Sequence, residues 1–373
     1  MTEELYRPGL EGIIAGETAI STITGGLRYR GYAIEDLAEN ATFEEVAWLV
    51  LRGEAPSQQE LAAMRQRLAD AMKLPEPLVT LLGSLPAETP MMDVMRTGCS
   101  VLAHWDPDVS DNSREANLRK AERLLAQLPL VMAARHRQRQ GLSPLQPDPN
   151  LTLAGNILYL LNGQKPSDRS VKAMDLSLIL YAEHEYNAST FTARVTCSTL
   201  SDLHSAVVAA IGALKGPLHG GANEAVMDVL NEVGSPENAE KWVRDALANK
   251  VRIMGFGHRV YKTGDPRAAY LKPLCQDLAK ETGNEAMEKM AAIIEDIVVA
   301  EKKLPPNLDW PSARLYYYLG LPIDLYTPLF VLSRVSGWSA HVIEQLENNR
   351  LIRPRARYTG PDLRKWQPLS ARG

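Results

Sequence analysis

The densest cluster of reactive side chains lies in Met254-Gly255-Phe256-Gly257-His258-Arg259-Val260-Tyr261-Lys262, with Asp265-Pro266-Arg267 close behind. Gly255 and Gly257 allow positive φ or a close approach of the backbone to a ligand. His258 changes charge near neutral pH. Pro266 suits a first helical position, which sets the Arg267 guanidinium beside a helix N-terminus, where anions are favoured. The chemistry implied is binding of a small, multiply charged anion that must receive a proton.

Four further segments carry chemistry. In Lys215-Gly216-Pro217-Leu218-His219-Gly220-Gly221-Ala222 a lone imidazole sits where a helix should begin. The positive end of the helix dipole disfavours its cation, leaving a neutral donor suited to a developing oxyanion. A turn histidine that satisfies local backbone reads equally well. Tyr181-Ala182-Glu183-His184-Glu185-Tyr186-Asn187-Ala188-Ser189-Thr190 gathers His184 and Asn187 at a helix junction. No second His follows at metalloprotease spacing, and Glu183 and Glu185 lie on different sides of a helix, so a metal site is not expected. Leu321-Pro322-Ile323-Asp324-Leu325-Tyr326 places one carboxylate among apolar neighbours. Desolvation there would raise its pKa and make a base, the ordinary alternative being a helix cap. Arg334 interrupts an apolar helix start, and a buried Arg needs an anionic partner. Arg353 lies before Pro354 in a basic tail, where solvent exposure is the commoner fate. Of the other histidines, His136 reads as part of a basic surface run, His204 as part of a capping turn and His341 as part of an amphipathic helix.

The elements that must position these groups are almost all helical. Thr22-Ile23-Thr24-Gly25-Gly26-Leu27-Arg28-Tyr29 reads as a short hairpin. Thr42-Phe43-Glu44-Glu45 and Ser57-Gln58-Gln59-Glu60 are capping-box starts. The stretch from Ser113 to Arg139 is interrupted by Pro129, predicting a kink or two helices. Helices are expected at about 150–162, 167–186, 189–214, 220–233, 266–282, 284–303 and 327–349. At 373 residues two domains are the default. The net charge of −4 leaves no basic surplus for a nucleic-acid partner. Cys99, Cys197 and Cys275 form no paired spacing, which fits a reducing compartment. No signal-like N-terminus and no long apolar run stand out, so a cytoplasmic protein without a membrane span is expected.

These five segments, in this order, resemble citrate synthase, above all Gly-Pro-Leu-His-Gly-Gly-Ala at 216–222 and Gly-Phe-Gly-His-Arg-Val-Tyr-Lys with Asp-Pro-Arg at 255–267. The likeness runs from Tyr29-Arg30-Gly31-Tyr32 to Asn349-Arg350-Leu351-Ile352-Arg353-Pro354. The Asp324 segment lacks the Asn-Val-Asp form of other branches and resembles an Asp-Leu-Tyr-Thr-Pro variant. The resemblance implies an all-α fold in two domains, with residues 1–219 and 326–373 forming the large one and residues 220–325 a small one that closes on it. It implies that Asp324 abstracts a methyl proton from acetyl-CoA, that His219 hydrogen-bonds the thioester oxygen and that His258 protonates the carbonyl of oxaloacetate. His184, Asn187, Arg267, Arg334 and a second subunit's Arg353 would hold oxaloacetate. Met254, Gly255, Gly257, Arg259 and Lys262 would contact CoA. It further implies a homodimer, open to larger assemblies, that takes acetyl-CoA as co-substrate at the entry to the tricarboxylic acid cycle and needs neither a metal nor a tightly bound cofactor. One oxyanion donor is worth roughly 3–4 kcal/mol in such chemistry. The alternatives are 2-methylcitrate synthase acting on propionyl-CoA and a non-catalytic CoA-binding helical scaffold.

Overall fold

The computed structural model describes residues 6–258, 261 and 264–372. Strands β1 (Ser21–Thr22), β2 (Arg28–Tyr29) and β3 (Tyr32–Ala33) form one small antiparallel sheet, with Ser21 opposite Tyr29 and Tyr29 opposite Tyr32. Gly25 and Gly26, at φ 72° and 107°, make the turn between the first two. The remainder is helical. The first half comprises α1 (Ile34–Asn40), α2 (Phe43–Arg52), α3 (Gln58–Ala71), α4 (Glu76–Ser84), α5 (Met91–Leu102), α6 (Arg114–Arg139), α7 (Leu153–Asn162) and α8 (Asp168–Tyr181). The second comprises α9 (Ala188–Cys197), α10 (Leu203–Leu214), α11 (Ala222–Val233), α12 (Pro236–Ala248), α13 (Pro266–Thr282), α14 (Glu285–Lys302), α15 (Asp309–Tyr318) and α16 (Tyr326–Glu347). The all-α reading with its short hairpin is therefore borne out.

Local signals explain most boundaries. Both capping boxes form, the Glu45 carboxylate accepting from Thr42 N–H at 2.7 Å and Glu60 from Ser57 N–H at 2.8 Å. Two expectations are narrowed or revised. Of the kink or division expected at Pro129, the division does not occur: α6 runs through it as one helix, held among α3, α4, α5, α7, α10 and α16. The helix expected over 189–214 is two: Leu200 turns at φ 68°, and Asp202 caps α10 by accepting from Ser205 N–H at 2.9 Å.

Helix α16 is the axis of the fold. Every residue from Tyr326 to Ile343 is buried, the polar ones Thr327, Ser333, Arg334, Ser336, Ser339 and His341 included, and α2, α6, α8, α9 and α10 pack on it. Helices α11 to α15 pack against one another, and reach the rest through α13 on α8 and α11 on α16. Gly337 of α16 permits a close crossing, since a Cβ there would lie 2.4 Å from the Ala182 carbonyl at the end of α8. His341, one turn on, is fully buried, not part of an exposed amphipathic face, and His136 is also buried. Among the described residues no helix is long and apolar enough to cross a membrane.

Candidate active site

The site begins where α8 stops. The chain passes from Tyr181 into the loop 182–187, turning at Glu185 with φ 53°. The N-terminal sheet pins this loop: the Tyr29 hydroxyl donates to the Glu183 carbonyl at 3.0 Å, and Ser21 Oγ accepts from Glu185 N–H at 2.9 Å while donating to Glu183 Oε1 at 3.0 Å. His341 Nδ1 accepts from Arg194 Nε–H at 2.8 Å, so its Nε2–H donates to Glu183 Oε1 at 2.9 Å. Burial pushes the Glu183 carboxyl up, but His341, Arg334 and Ser21 outweigh it and hold it below the usual range. The fixed loop presents His184, whose Nε2 lies 3.0 Å from the Tyr261 hydroxyl and whose ring centroid is 5.3 Å from that of His258. Burial, then Arg267, Arg334 and His258, keep His184 well below its ordinary pKa, and so neutral.

Asn187 caps α9, its Oδ1 accepting from Thr190 N–H at 3.1 Å. Ser189 was not singled out in the sequence, yet it sets the state of His219. Its backbone N–H donates to His219 Nε2 at 3.2 Å, so the neutral ring carries its proton on Nδ1. Ser189 Oγ sits 2.8 Å from the same nitrogen and accepts from Trp338 Nε1–H at 3.0 Å. Burial, with Arg334 second, lowers His219 to about 4. The neutral state expected from a helix dipole is thus present, but desolvation produces it.

The glycine-flanked segment works through its backbone. Phe256 bridges Pro306, Gly257 N–H donates to the Pro305 carbonyl at 2.8 Å, and Asn307 N–H donates to the Gly255 carbonyl at 2.9 Å. Asn307 Nδ2 adds a bond to the Gly257 carbonyl at 2.9 Å. This short ladder sets His258 beside the start of α15. A Cβ at Gly255, where φ is 90°, would meet Trp310 and Val226 at 2.8 Å. Tyr261 N–H donates to His258 Nδ1 at 3.3 Å. Arg267 is gripped by Asp265 in a two-pronged pair (2.9 and 2.8 Å), while Asp265 Oδ2 also accepts from Leu308 N–H at 3.1 Å. Despite burial, Asp265 holds the Arg267 guanidinium above its ordinary pKa. Arg334 is also buried, with Nε donating to the Tyr181 carbonyl at 2.6 Å, and burial pulls it down to about 10.

These groups converge on a cavity of roughly 990 Å³ lined by His184, Asn187, His219, His258, Arg267 and Arg334. Its carboxylates are Asp309, Asp265 and those of Glu11 and Glu185; Asp324 is not among its lining residues. Asp324 lies on the turn Ile323–Leu325, its side chain 43% exposed and paired with Arg139 of α6 at 2.5 Å. The desolvation expected of it is absent because its apolar neighbours Leu321 and Leu325 turn inward while it turns out. Asp309 has the environment foreseen for Asp324. Burial raises it above the usual carboxylate range, against Tyr181, Arg267 and Arg334, and Tyr181 Oη–H donates to its Oδ1 at 2.7 Å. The signal that would have found it is Asn307-Leu308-Asp309, one aliphatic residue away from the Asn-Val-Asp form sought around Asp324.

The remaining expectations divide. Met254, Gly255 and Gly257 do not line the cavity, and Arg259 and Lys262 lie outside the described residues. Arg353 is exposed and away from the cavity in the single chain. Among the described residues no three His, Cys, Asp or Glu side chains gather as metal ligands.

Residues 9–355 match the family model "Citrate synthase, C-terminal domain". The chain is 50% identical to "Citrate synthase 2" of Bacillus subtilis (strain 168) over 366 residues, 98% of each chain. It is 45% identical to "2-methylcitrate synthase 2" of Corynebacterium glutamicum over 374 residues, again 98% of each. A citrate synthase of Thermoplasma acidophilum, solved as a ternary complex with carboxymethyl coenzyme A and oxaloacetate, superposes with a TM-score of 0.93 at 36% identity, covering 99% of this chain and 100% of that one. With its cleft of three histidines, two buried arginines and a desolvated aspartate, this chain belongs to the citrate synthase family.

Proposed function

We propose that the chain condenses acetyl-CoA with oxaloacetate and hydrolyses the resulting citryl-CoA, with Asp309 as the base. The observation that carries this reading is the convergence of Asp309, His219 and His258 on one cavity that also holds Arg267 and Arg334. The bound pair in the Thermoplasma relative, a CoA derivative and oxaloacetate, supports the same two substrates here.

In this reading Arg267, Arg334 and His184 hold the oxaloacetate carboxylates. Arg353, supplied by the second subunit of a homodimer, completes the clamp. Asn187, which caps α9 and lines the cavity, joins them as an oxaloacetate ligand. Asp309 takes a proton from the methyl carbon, and His219 Nδ1–H donates to the thioester oxygen as negative charge develops there. A neutral donor is required, and its low pKa keeps His219 neutral at pH 7. The nucleophilic carbon then bonds to the oxaloacetate carbonyl carbon, whose oxygen takes a proton from His258. His258 Nδ1 accepts from Tyr261 N–H, which places the ring proton on Nε2. Water finally attacks the thioester, and CoA leaves as the thiol. No step calls for a metal or redox group.

Residues 220–325 form the small domain that closes over the large one (1–219 and 326–373). The cavity supports this division, since His258, Arg267 and Asp309 come from one part and His184, His219 and Arg334 from the other. The reaction is that of a cytoplasmic enzyme at the entry of the tricarboxylic acid cycle. A second reading, 2-methylcitrate synthesis from propionyl-CoA, is favoured by the Corynebacterium relative. One methylene is worth only about 1–3 kcal/mol in a pocket.

Thiol release from acetyl-CoA and propionyl-CoA, with and without oxaloacetate, tests both readings. Oxaloacetate-dependent release with a higher kcat/KM for acetyl-CoA is expected; a preference for propionyl-CoA selects the second reading, and no release from either overturns both. In the same assay Arg353→Ala raises the KM for oxaloacetate, and an unchanged KM removes Arg353 from the clamp.

A further inference from the structure

Behind Asp309 lies a chain of hydroxyls with no role in the steps above. Tyr181 Oη is 2.7 Å from Asp309 Oδ1 and 2.8 Å from Ser312 Oγ. Both hydroxyl-bearing residues are buried, Tyr181 at 3% exposure and Ser312 at 0%. A phenol has one proton to give. An ionised carboxylate can only accept, so that proton goes to Asp309, and Ser312 Oγ–H then donates to Tyr181 Oη. The order of donors is thereby fixed from Ser312 through Tyr181 to Asp309. The tyrosine itself is immobilised from two further sides. Its ring packs on Phe330 with centroids 4.5 Å apart, and its carbonyl accepts from Arg334 at 2.6 Å.

We propose that Tyr181, oriented by Ser312, is a positioning residue for the base, occupying Oδ1 of Asp309 so that Oδ2 alone meets the substrate methyl group, and favouring the carboxylate over the acid. This rests on the reading of Asp309 as the base. A buried carboxylate without such a donor would hold its proton and be idle at neutral pH. A hydrogen bond to the charged form offsets part of that burial while leaving the carboxylate more basic than one in water. The other charged or titratable groups around Asp309 are Arg267 and Asp265 at the head of α13, Arg334 from α16, Tyr316 on its own helix, and His184 and His258 across the cavity.

The test is the pH dependence of kcat/KM for acetyl-CoA at saturating oxaloacetate, in the full-length enzyme. Tyr181→Phe keeps the ring and removes the proton. Its acidic limb is expected to move up by about one pH unit, giving roughly tenfold lower activity on the acidic side of the limb and recovery towards wild type on its alkaline side. Ser312→Ala moves the limb in the same direction by less. A purely structural role would lower the rate by one factor at every pH, and that result, or an unmoved limb, overturns the inference. Should Tyr181→Phe fail to fold, Ser312→Ala decides alone: an unmoved limb there overturns it too. Asp309→Asn separates the two claims. If that variant stays active, the base reading falls and this inference with it. If it is dead while the Tyr181→Phe limb is unmoved, the inference alone falls.

Discussion

The contrast between Asp309 and Asp324 shows what a side chain's neighbours in sequence do and do not determine. Both stand among apolar residues. Asp324 escapes to Arg139 and solvent, whereas Asp309 is folded under Tyr181 and raised by burial. Desolvation depends on which way a side chain turns from the backbone, and the spacing around Asp324 does not encode that. The tautomer of His219 is set differently, by the Ser189 N–H that donates to its Nε2. For His219 burial lowers the pKa to about 4, so its charge is invariant above about pH 5. Nitrogen NMR of His219 should therefore show a neutral Nδ1–H ring throughout the range from about pH 5 to about pH 8, and a titration near the ordinary histidine value of about 6.5 would contradict the account.

At the scale of elements, caps and breakers were legible and packing was not. Thr42, Ser57 and Ser113 begin helices as their types predict, and Pro266 opens α13. The break between α9 and α10 was legible only as the capping turn at His204 and not as a helix end, because Leu200, at positive φ, is not a residue that signals one. The possible division at Pro129 did not occur, because propensity yields to burial within a helix packed on six others. One interface carries a pH dependence of its own. Asp175 of α8 accepts from Phe43 N–H at 3.2 and 3.1 Å at the head of α2, and burial together with Glu44 raises it from 3.8 to about 7. The folded state thus binds this proton more tightly than the unfolded chain. The resulting stability is full below the unfolded pKa and is lost as pH rises from about 4 through about 7. Asp175→Asn keeps an acceptor for Phe43 and removes the titration. Thermal melts should show wild type losing stability between about pH 5 and about pH 8, with the variant losing less over that range. Equal losses would show that Asp175 is not responsible.

At the scale of the whole molecule the site is a meeting of distant segments. The hairpin at 21–29 fixes the loop that carries His184, α16 supplies Arg334, and the ladder between 255–257 and 305–307 brings His258 and Asp309 together. The sequence revealed the imidazoles and arginines because their surroundings of glycine and proline are distinctive. It did not reveal Ser189, whose role arises only once the chain closes, and it signalled Asp309 only through Asn307-Leu308-Asp309. The central claim is that closure makes Asp309 the base. Asp309→Asn and Asp324→Asn, assayed side by side for oxaloacetate-dependent thiol release, test it most directly. Asp309→Asn should lose about 10²–10⁴-fold in kcat. Asp324→Asn, which breaks only a surface ion pair, should stay within about fivefold of wild type. The reverse outcome, with Asp324→Asn inactive and Asp309→Asn near wild type, would contradict the account.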